Sequence, residues 1–467
     1  MTPFPATPAA TGRRSRTRRA LLGSLAGLAG TAAGGALAAC GANPANPAGG
    51  GEAAGSAKSK QPVTIRLGER AGTEKQAFDA RLPVFKEQFP YITVQREEIT
   101  GDMIVALQAM AASNTLPDNA HAYTGGNQYH NFALGGAFRQ IDAMIARDKL
   151  DLKGWFPEMI EIMKIDGKLY GLPFKGQVLA AGFYYNANLF KARGVAEPND
   201  NWTLDDLIKA AQQLTVREGN ETVQWGYAIN AITGENFTPS MRQWGGDTYA
   251  ENGKKAALDT PAVLEGLQWY ENLLQRERVM HPLADSSNDF IQGKIAMFGR
   301  SYFNYKSTLL PQVGDKFKWD GAMMPKHPKT GKRGGMFAGD SHAITRDSKA
   351  PEAAFELCKF VCDKEFGVAL GLQTSGSTTL GGRPDVYADP RILNAAQYSK
   401  QMQKAQLDSV SQIKEPFSTA ANFRGPDIER VRDPAVTAML NGEKKVETGA
   451  LKTLNAELQN ILNMGRP

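Results

Sequence analysis

Pro62-Val63-Thr64-Ile65-Arg66-Leu67 alternates apolar and polar side chains over the length of one short strand, and it opens the stretch whose reading decides the fold. Phe78, Leu82, Phe85 and Phe89 follow at helical spacing over 73–89, and Pro90 stops that helix. Tyr91-Ile92-Thr93-Val94 returns as a strand, and a second helix over 102–112 carries Met103, Val105, Leu107 and Met110. A turn at Leu116-Pro117-Asp118 then leads to a third strand at 119–124. Strands alternating with helices predict a parallel sheet in an α/β fold. Ligands of such sheets lie beyond the carboxyl ends of the strands. That rule points to Gly68-Glu69-Arg70 and to Tyr123-Thr124-Gly125-Gly126-Asn127.

Further along, Phe183-Tyr184-Tyr185 and Trp225-Gly226-Tyr227-Ala228-Ile229 read as strands. Thr203 and Asp206 stand at capping-box spacing before a helix. A helix over 261–278 begins at Pro261, and Phe290 to Phe298 reads as a helix end followed by a buried strand. The last helix, 448–463, sets Leu451, Leu454, Leu458 and Ile461 on one face. No internal repeat is visible.

The amino terminus is of another kind. Arg13-Arg14-Ser15-Arg16-Thr17-Arg18-Arg19 precedes an apolar, small-residue run that ends in Leu37-Ala38-Ala39-Cys40. A positive start, an apolar middle and small residues before a cysteine are the marks of an export signal with a lipoprotein cleavage box, and Thr17 to Leu22 looks like a twin-arginine signal. The expectation is a signal over 1–39, a lipid on Cys40 and a Pro/Gly/Ala tether over 40–60. The alternative, an uncleaved membrane-spanning helix, is weakened by glycines at 23, 27, 30, 34 and 35.

Net charge is +6, but residues 1–39 hold five arginines and no acidic residue, so the remainder carries +1. The basic balance belongs to the signal, and composition offers no case for nucleic acid. Cys358 and Cys362 lie four apart on one amphipathic helix with only His342 loosely near in sequence, which favours a core pair over a metal site. No Gly-x-Ser-x-Gly elbow and no His-Glu-x-x-His helix occurs. Glu69, Glu235 and Asp340 have no local context that marks a glycosidase pair. These absences argue against an enzyme, and no cofactor or metal is expected. An adhesive surface protein is the third class considered.

Several ordered phrases carry a resemblance. They are Asp166-Gly167-Lys168-Leu169-Tyr170-Gly171-Leu172-Pro173, Phe183-Tyr184-Tyr185-Asn186 with Leu189-Phe190, and Trp202-Thr203 with Leu207. Gly245-Gly246-Asp247, Phe290 to Met297 and Ser348-Lys349-Ala350-Pro351-Glu352-Ala353-Ala354 follow. In this order, over about 400 residues, they resemble the family 1 extracellular solute-binding proteins of ABC importers, the family of the maltose-binding protein. Gly167 suits a hairpin tip and Gly293 a positive φ before the next strand.

The resemblance implies a two-lobed, type II-like periplasmic-binding-protein fold with discontinuous lobes, hinge strands and a ligand cleft between them. Lobe one is expected over 61–175 plus 326–375, and lobe two over 179–322 plus 380–467. The implied partners are a small solute, a sugar or short oligosaccharide, and a membrane permease. The chain itself would be a monomer held to the membrane by its lipid alone. An acidic or phosphorylated sugar is the alternative ligand, because Arg300 and Tyr302 stand where the family offers a tryptophan platform.

Carried over by the resemblance, the cleft contacts are Glu69, Arg70, Tyr123, Asn127, Gln177, Glu235, Asn236, Arg300, Tyr302, Asp340 and Phe423. Some have a plainer reading beside them. Glu69 and Arg70 would be solvated loop charges, and Tyr123, like Trp244 before the glycine pair, would be core.

Overall fold

The computed structural model describes residues 61–125, 128–229, 231–283, 286–299, 308–376, 379–396 and 399–467. The signal, the tether and Cys40 lie outside the described residues, as do Asn127, Arg300 and Tyr302. None of the described helices is long and apolar enough to cross a membrane.

Fourteen strands can be followed in chain order among the described residues. β1 (Val63–Arg70), β2 (Ile92–Ile99) and β3 (Asn119–Tyr123) alternate with helices Lys75–Gln88 and Met103–Ser113, as the periodicity predicts. β4 (Lys164–Ile165) and β5 (Lys168–Leu169) form a small hairpin whose tip, Asp166-Gly167, has φ of 52° and 78°. The second of these positions takes glycine because a side chain resists the left-handed region. β6 (Gly171–Leu179) leads straight into β7 (Gly182–Asn186). β8 (Val216–Glu218), β9 (Glu221–Ile229), β10 (Tyr249–Ala250) and β11 (Lys255–Ala256) follow. β12 (Ile295–Gly299), β13 (Trp319–Met323) and β14 (Met336–Ile344) complete the set.

Ten of them assemble into two five-stranded sheets, in the orders β2-β1-β3-β14-β6 and β13-β7-β12-β9-β8, while β10 and β11 form a second small hairpin. The first is parallel through β2, β1 and β3, as the sequence predicts, but β14 runs antiparallel to both β3 and β6. β14 returns from the second sheet and therefore enters the first from the opposite end. Chain crossings fall at β6–β7 and β13–β14 and after the helices Pro384–Tyr387 and Pro390–Leu393, which pack on helix Lys364–Leu372 of the first sheet. The next helix, Lys400–Gln412, packs chiefly on β13. We therefore place the last crossing near 394–400, later than the 375–380 expected.

Local rules account for most of the supporting helices. Thr203 accepts from Asp206 N while Asp206 accepts from Thr203 N, a complete capping box that starts helix Leu204–Leu214. Helix Pro261–Glu271 begins at its proline, and the chain continues through a π-helical turn at Asn272–Arg276, so one sequence period spans two backbone forms. Leu451, Leu454, Leu458 and Ile461 of helix Thr448–Leu462 are buried together. Trp244 packs among Trp269, Tyr270 and His327, within the core of the second sheet. Cys358 and Cys362 are buried, and their thiols donate to the carbonyls of His342 at 3.1 Å and Leu172 at 3.7 Å.

β14 presses unusually close to β6 at Gly339, where an added Cβ would stand 2.0 Å from the Lys175 carbonyl oxygen. The Gly339→Ala variant is expected to lose about 1–3 kcal/mol or more of stability, as overpacked sites do. Equilibrium urea unfolding reads this, and a parental midpoint in the variant would contradict the close approach.

Candidate ligand-binding site

The carboxyl ends of β1 and β3 open onto a cavity of about 560 Å³. Its floor is polar and ionic: Arg70 from β1, His121 and Tyr123 from β3, Lys175 and Gln177 from β6, and Asp340 from β14. Its wall is apolar, built from Met103, Ile104 and Leu107 at the start of helix Met103–Ser113 and from Phe132. Asp102 caps that helix by accepting from the amides of Ile104 and Val105, which holds the wall in place.

Strand register brings the floor together. Asp340 pairs across the sheet with Tyr123 on one side and Lys175 on the other. A bulge follows at Asp340/Ser341 and re-aims the strand. Lys175 Nζ lies 2.9 Å from Asp340 Oδ2 and 2.5 Å from Glu74 Oε1, and its side chain is 2 % exposed. Arg70 donates to the same Glu74 oxygen at 3.0 Å and stands 3.6 Å from Asp340 Oδ2. Two cations thus bridge two carboxylates, and their charges cancel. Burial pushes Glu74 and Asp340 up, but Lys175 heads the attractions that hold both below the usual carboxylate range. Burial opposes the charge of Arg70 as well, and Glu74 and Asp340 outweigh it. Burial lowers His121 to about 4, so its ring is neutral at pH 7.

Among the described residues, one reaches the cavity from the other sheet. Glu235 sits in the turn Gly234–Asn236 beyond β9 and accepts a hydrogen bond from Tyr123 Oη at 2.8 Å, which spans the cleft. Its loop is clamped from behind, because Gly234 N donates to Asp433 at 2.7 Å and Arg432 donates to Gly234 O at 2.8 Å. Burial raises both Glu235 and Tyr123, so the tyrosine keeps the proton it donates. Gln177 is buried as well, and its Oε1 has no hydrogen-bond partner among the described residues. It is an acceptor waiting for a donor.

Of the contacts expected from sequence, the structure brings Arg70, Tyr123, Gln177, Glu235 and Asp340 to one cavity. Glu69 is placed elsewhere. Alternation along β1 turns it to the face opposite Arg70, where Arg96 of β2 grips both carboxylate oxygens at 2.7 and 2.9 Å. Asn236 is half-buried beside Glu235 but does not line the cavity. Phe423 has φ of 60°, and His130 stacks on its ring at 5.3 Å with the Arg466 guanidinium 5.1 Å from its centroid. It packs between lobes and does not line the cavity.

Sequence reasoning missed Glu74, His121 and Lys175. The period-two rule that put Gln177 at the cleft also puts Lys175 on the same face, and likewise His121 with Tyr123. Glu74 lies four residues beyond Arg70, past a turn, at the N-cap of the first helix.

The bacterial extracellular solute-binding protein family matches residues 82–400. The chain belongs to this family. A Brucella abortus (strain 2308) protein named as a binding protein is 26% identical over 322 residues, covering 67% of this chain and 75% of its own length. The lactose-binding protein of Rhizobium radiobacter is 26% identical over 224 residues, 47% of this chain and 50% of its own. Among solved structures, an ABC substrate-binding protein from Listeria monocytogenes in complex with cycloalternan superposes with a TM-score of 0.72 at 21% identity. That superposition covers 87% of this chain and 100% of the other, and it shows the two-lobed fold.

The neutral imidazoles predict how stability follows pH. His121 and His130, both lowered to about 4 by burial, bind fewer protons folded than unfolded between about pH 6.5 and 4. Their contribution is therefore full above pH 6.5 and is lost as pH falls toward 4. Glu74 and Asp340, held low, lose theirs only at more acid pH. The melting temperature is expected to drop between pH 6.5 and 4, and His121→Gln to flatten that drop. An unchanged slope in the variant would contradict a buried neutral His121.

Proposed function

We propose that this chain is the solute-capture subunit of an ABC importer, and that its ligand is an uncharged sugar or short oligosaccharide closed between the two lobes. The supporting observation is the chemistry of the cavity. Arg70 and Asp340 offer a donor and an acceptor whose charges are already balanced by Glu74 and Lys175. Gln177 adds an unpaired acceptor, and the wall of Met103, Ile104 and Leu107 matches the apolar face of a sugar ring. A cavity of about 560 Å³ has room for more than one ring. The sugars named with the Rhizobium and Listeria relatives point the same way.

A charged ligand fits less well. The described lining holds Arg70 and Lys175 against Asp340 and Glu235, with Glu74 just behind. An anion would have to compete with carboxylates already bound to both cations. Catalysis is disfavoured for a related reason, because Asp340 is committed to Lys175 and is no free base.

Ligand contact with Glu235 on one lobe and with Arg70, Gln177 and Asp340 on the other would favour the closed form. The export signal and Cys40 suit a subunit tethered outside the membrane, where a permease would take the closed shape.

A thermal-shift screen tests this reading with maltose, lactose, cyclic glucans, monosaccharides, polyols, uronic acids and sugar phosphates. Neutral sugars are expected to raise the melting temperature by mass action and to be recovered intact. Gln177→Ala should weaken that response by about 1–3 kcal/mol, the cost of a lost buried hydrogen bond. Stabilisation by anionic sugars alone would overturn the assignment to uncharged ligands, and turnover of the sugar would overturn the binding role.

A further inference from the structure

Glu74, His121 and Asp340 present ligand atoms that all lie within 4.8 Å of one another. Two carboxylates and a neutral imidazole converging in this way are a donor set for a divalent cation such as zinc. In this chain the same place is claimed from within. Lys175 Nζ, on a side chain 2 % exposed, stands 2.5 Å from Glu74 Oε1 and 2.9 Å from Asp340 Oδ2. The strand register delivers it there, since Lys175 is the direct cross-strand partner of Asp340. At the neighbouring Gly339 the strands approach so closely that an added Cβ would meet the Lys175 carbonyl oxygen.

We propose that Glu74, His121 and Asp340 form a preorganised cation site whose resident cation is the chain's own Lys175 ammonium group. Lys175 is then a positioning residue. It fixes Asp340 beside Arg70, so that a rigid acceptor and a rigid donor face the cavity, and it removes any need for a bound metal. Arg70 shares both carboxylate oxygens but is 40% exposed and belongs to the cavity side. Lys175 closes the set from below. Neutrality is reached inside the protein, and so the cavity is left to read hydroxyl geometry instead of charge. This last consequence rests on the sugar-binding reading; the cation site itself does not.

The test uses zinc chloride as its only probe and needs no knowledge of the solute. Full-length mature protein is stripped with EDTA, desalted and melted across a zinc titration. The parent is expected to show no change in melting temperature on EDTA treatment and no zinc response that depends on His121. Lys175→Ala, which leaves the two carboxylates and the imidazole around a gap that Arg70 compensates only in part, is expected to gain a melting temperature that rises with the logarithm of zinc concentration. His121→Ala in the Lys175→Ala background should abolish the gain. A merely structural lysine would leave a destabilised protein indifferent to zinc.

If Lys175→Ala folds only when zinc is present, the proposal stands. If it stays unfolded with zinc, or folds without acquiring a His121-dependent response, the proposal fails. A second measurement needs no zinc. Heteronuclear NMR of the parent labelled with 15N-lysine should show one slowly exchanging ammonium group that disappears in Lys175→Met. Absence of such a signal also overturns the assignment. Failure of the sugar screen would leave these zinc results untouched, so the two readings fall separately.

Discussion

The antiparallel pairing of β14 with β6 is the constraint on which the rest of the site depends. Gly339 allows the strands to approach until no Cβ could fit against the Lys175 carbonyl. That approach sets Asp340 between Tyr123 and Lys175, one on each flanking strand. From there the geometry propagates. Tyr123 reaches Glu235 across the cleft, and Lys175 reaches Glu74 at the start of the first helix. The same two strands carry the chain across to the second sheet, so the floor of the cavity and the connection between lobes share one piece of backbone.

The ionic floor is better understood as a device for geometry than for stability. Two charges taken out of water cost about as much as their attraction returns, and an apolar replacement of similar volume would often fold as well. What an apolar floor would lack is direction. Lys175 and Glu74 hold Arg70 and Asp340 at fixed positions, so a ligand meets groups that need not reorganise on binding. The second lobe contributes by the same logic, with Arg432 and Asp433 clamping the backbone on either side of the Gly234 turn so that Glu235 is presented and not free to sample solvent. Opposite these polar groups the apolar wall depends only on burial and a helix cap.

Sequence periodicity made much of this fold legible. Alternation placed β1 to β3 and their helices within a few residues, and the capping box at Thr203, the hairpin at Asp166-Gly167 and the turn at Gly293, with φ of 78°, fall where local chemistry requires them. Five of the contacts expected from the order of motifs line one cavity. Glu69 and Arg70 show the limit. A strand reverses its side chains at each step, which in β1 turns Glu69 toward Arg96 while Arg70 faces the cavity, and only the sheet's neighbours decide which face is which. Phe423 shows another: an aromatic ring in a loop stacks on whatever tertiary packing brings, here His130 and Arg466.

The amino-acid sequence by itself determined the alternation of strands and helices, the apolar faces that pack them and the turns that need glycine. These are local properties, set by neighbours a few residues apart. Only the tertiary structure decided that Glu74, His121, Lys175 and Asp340 share one buried cluster. They lie up to 266 positions apart in the chain, and their charges are tolerable inside the protein solely because folding brings opposite signs within hydrogen-bonding distance.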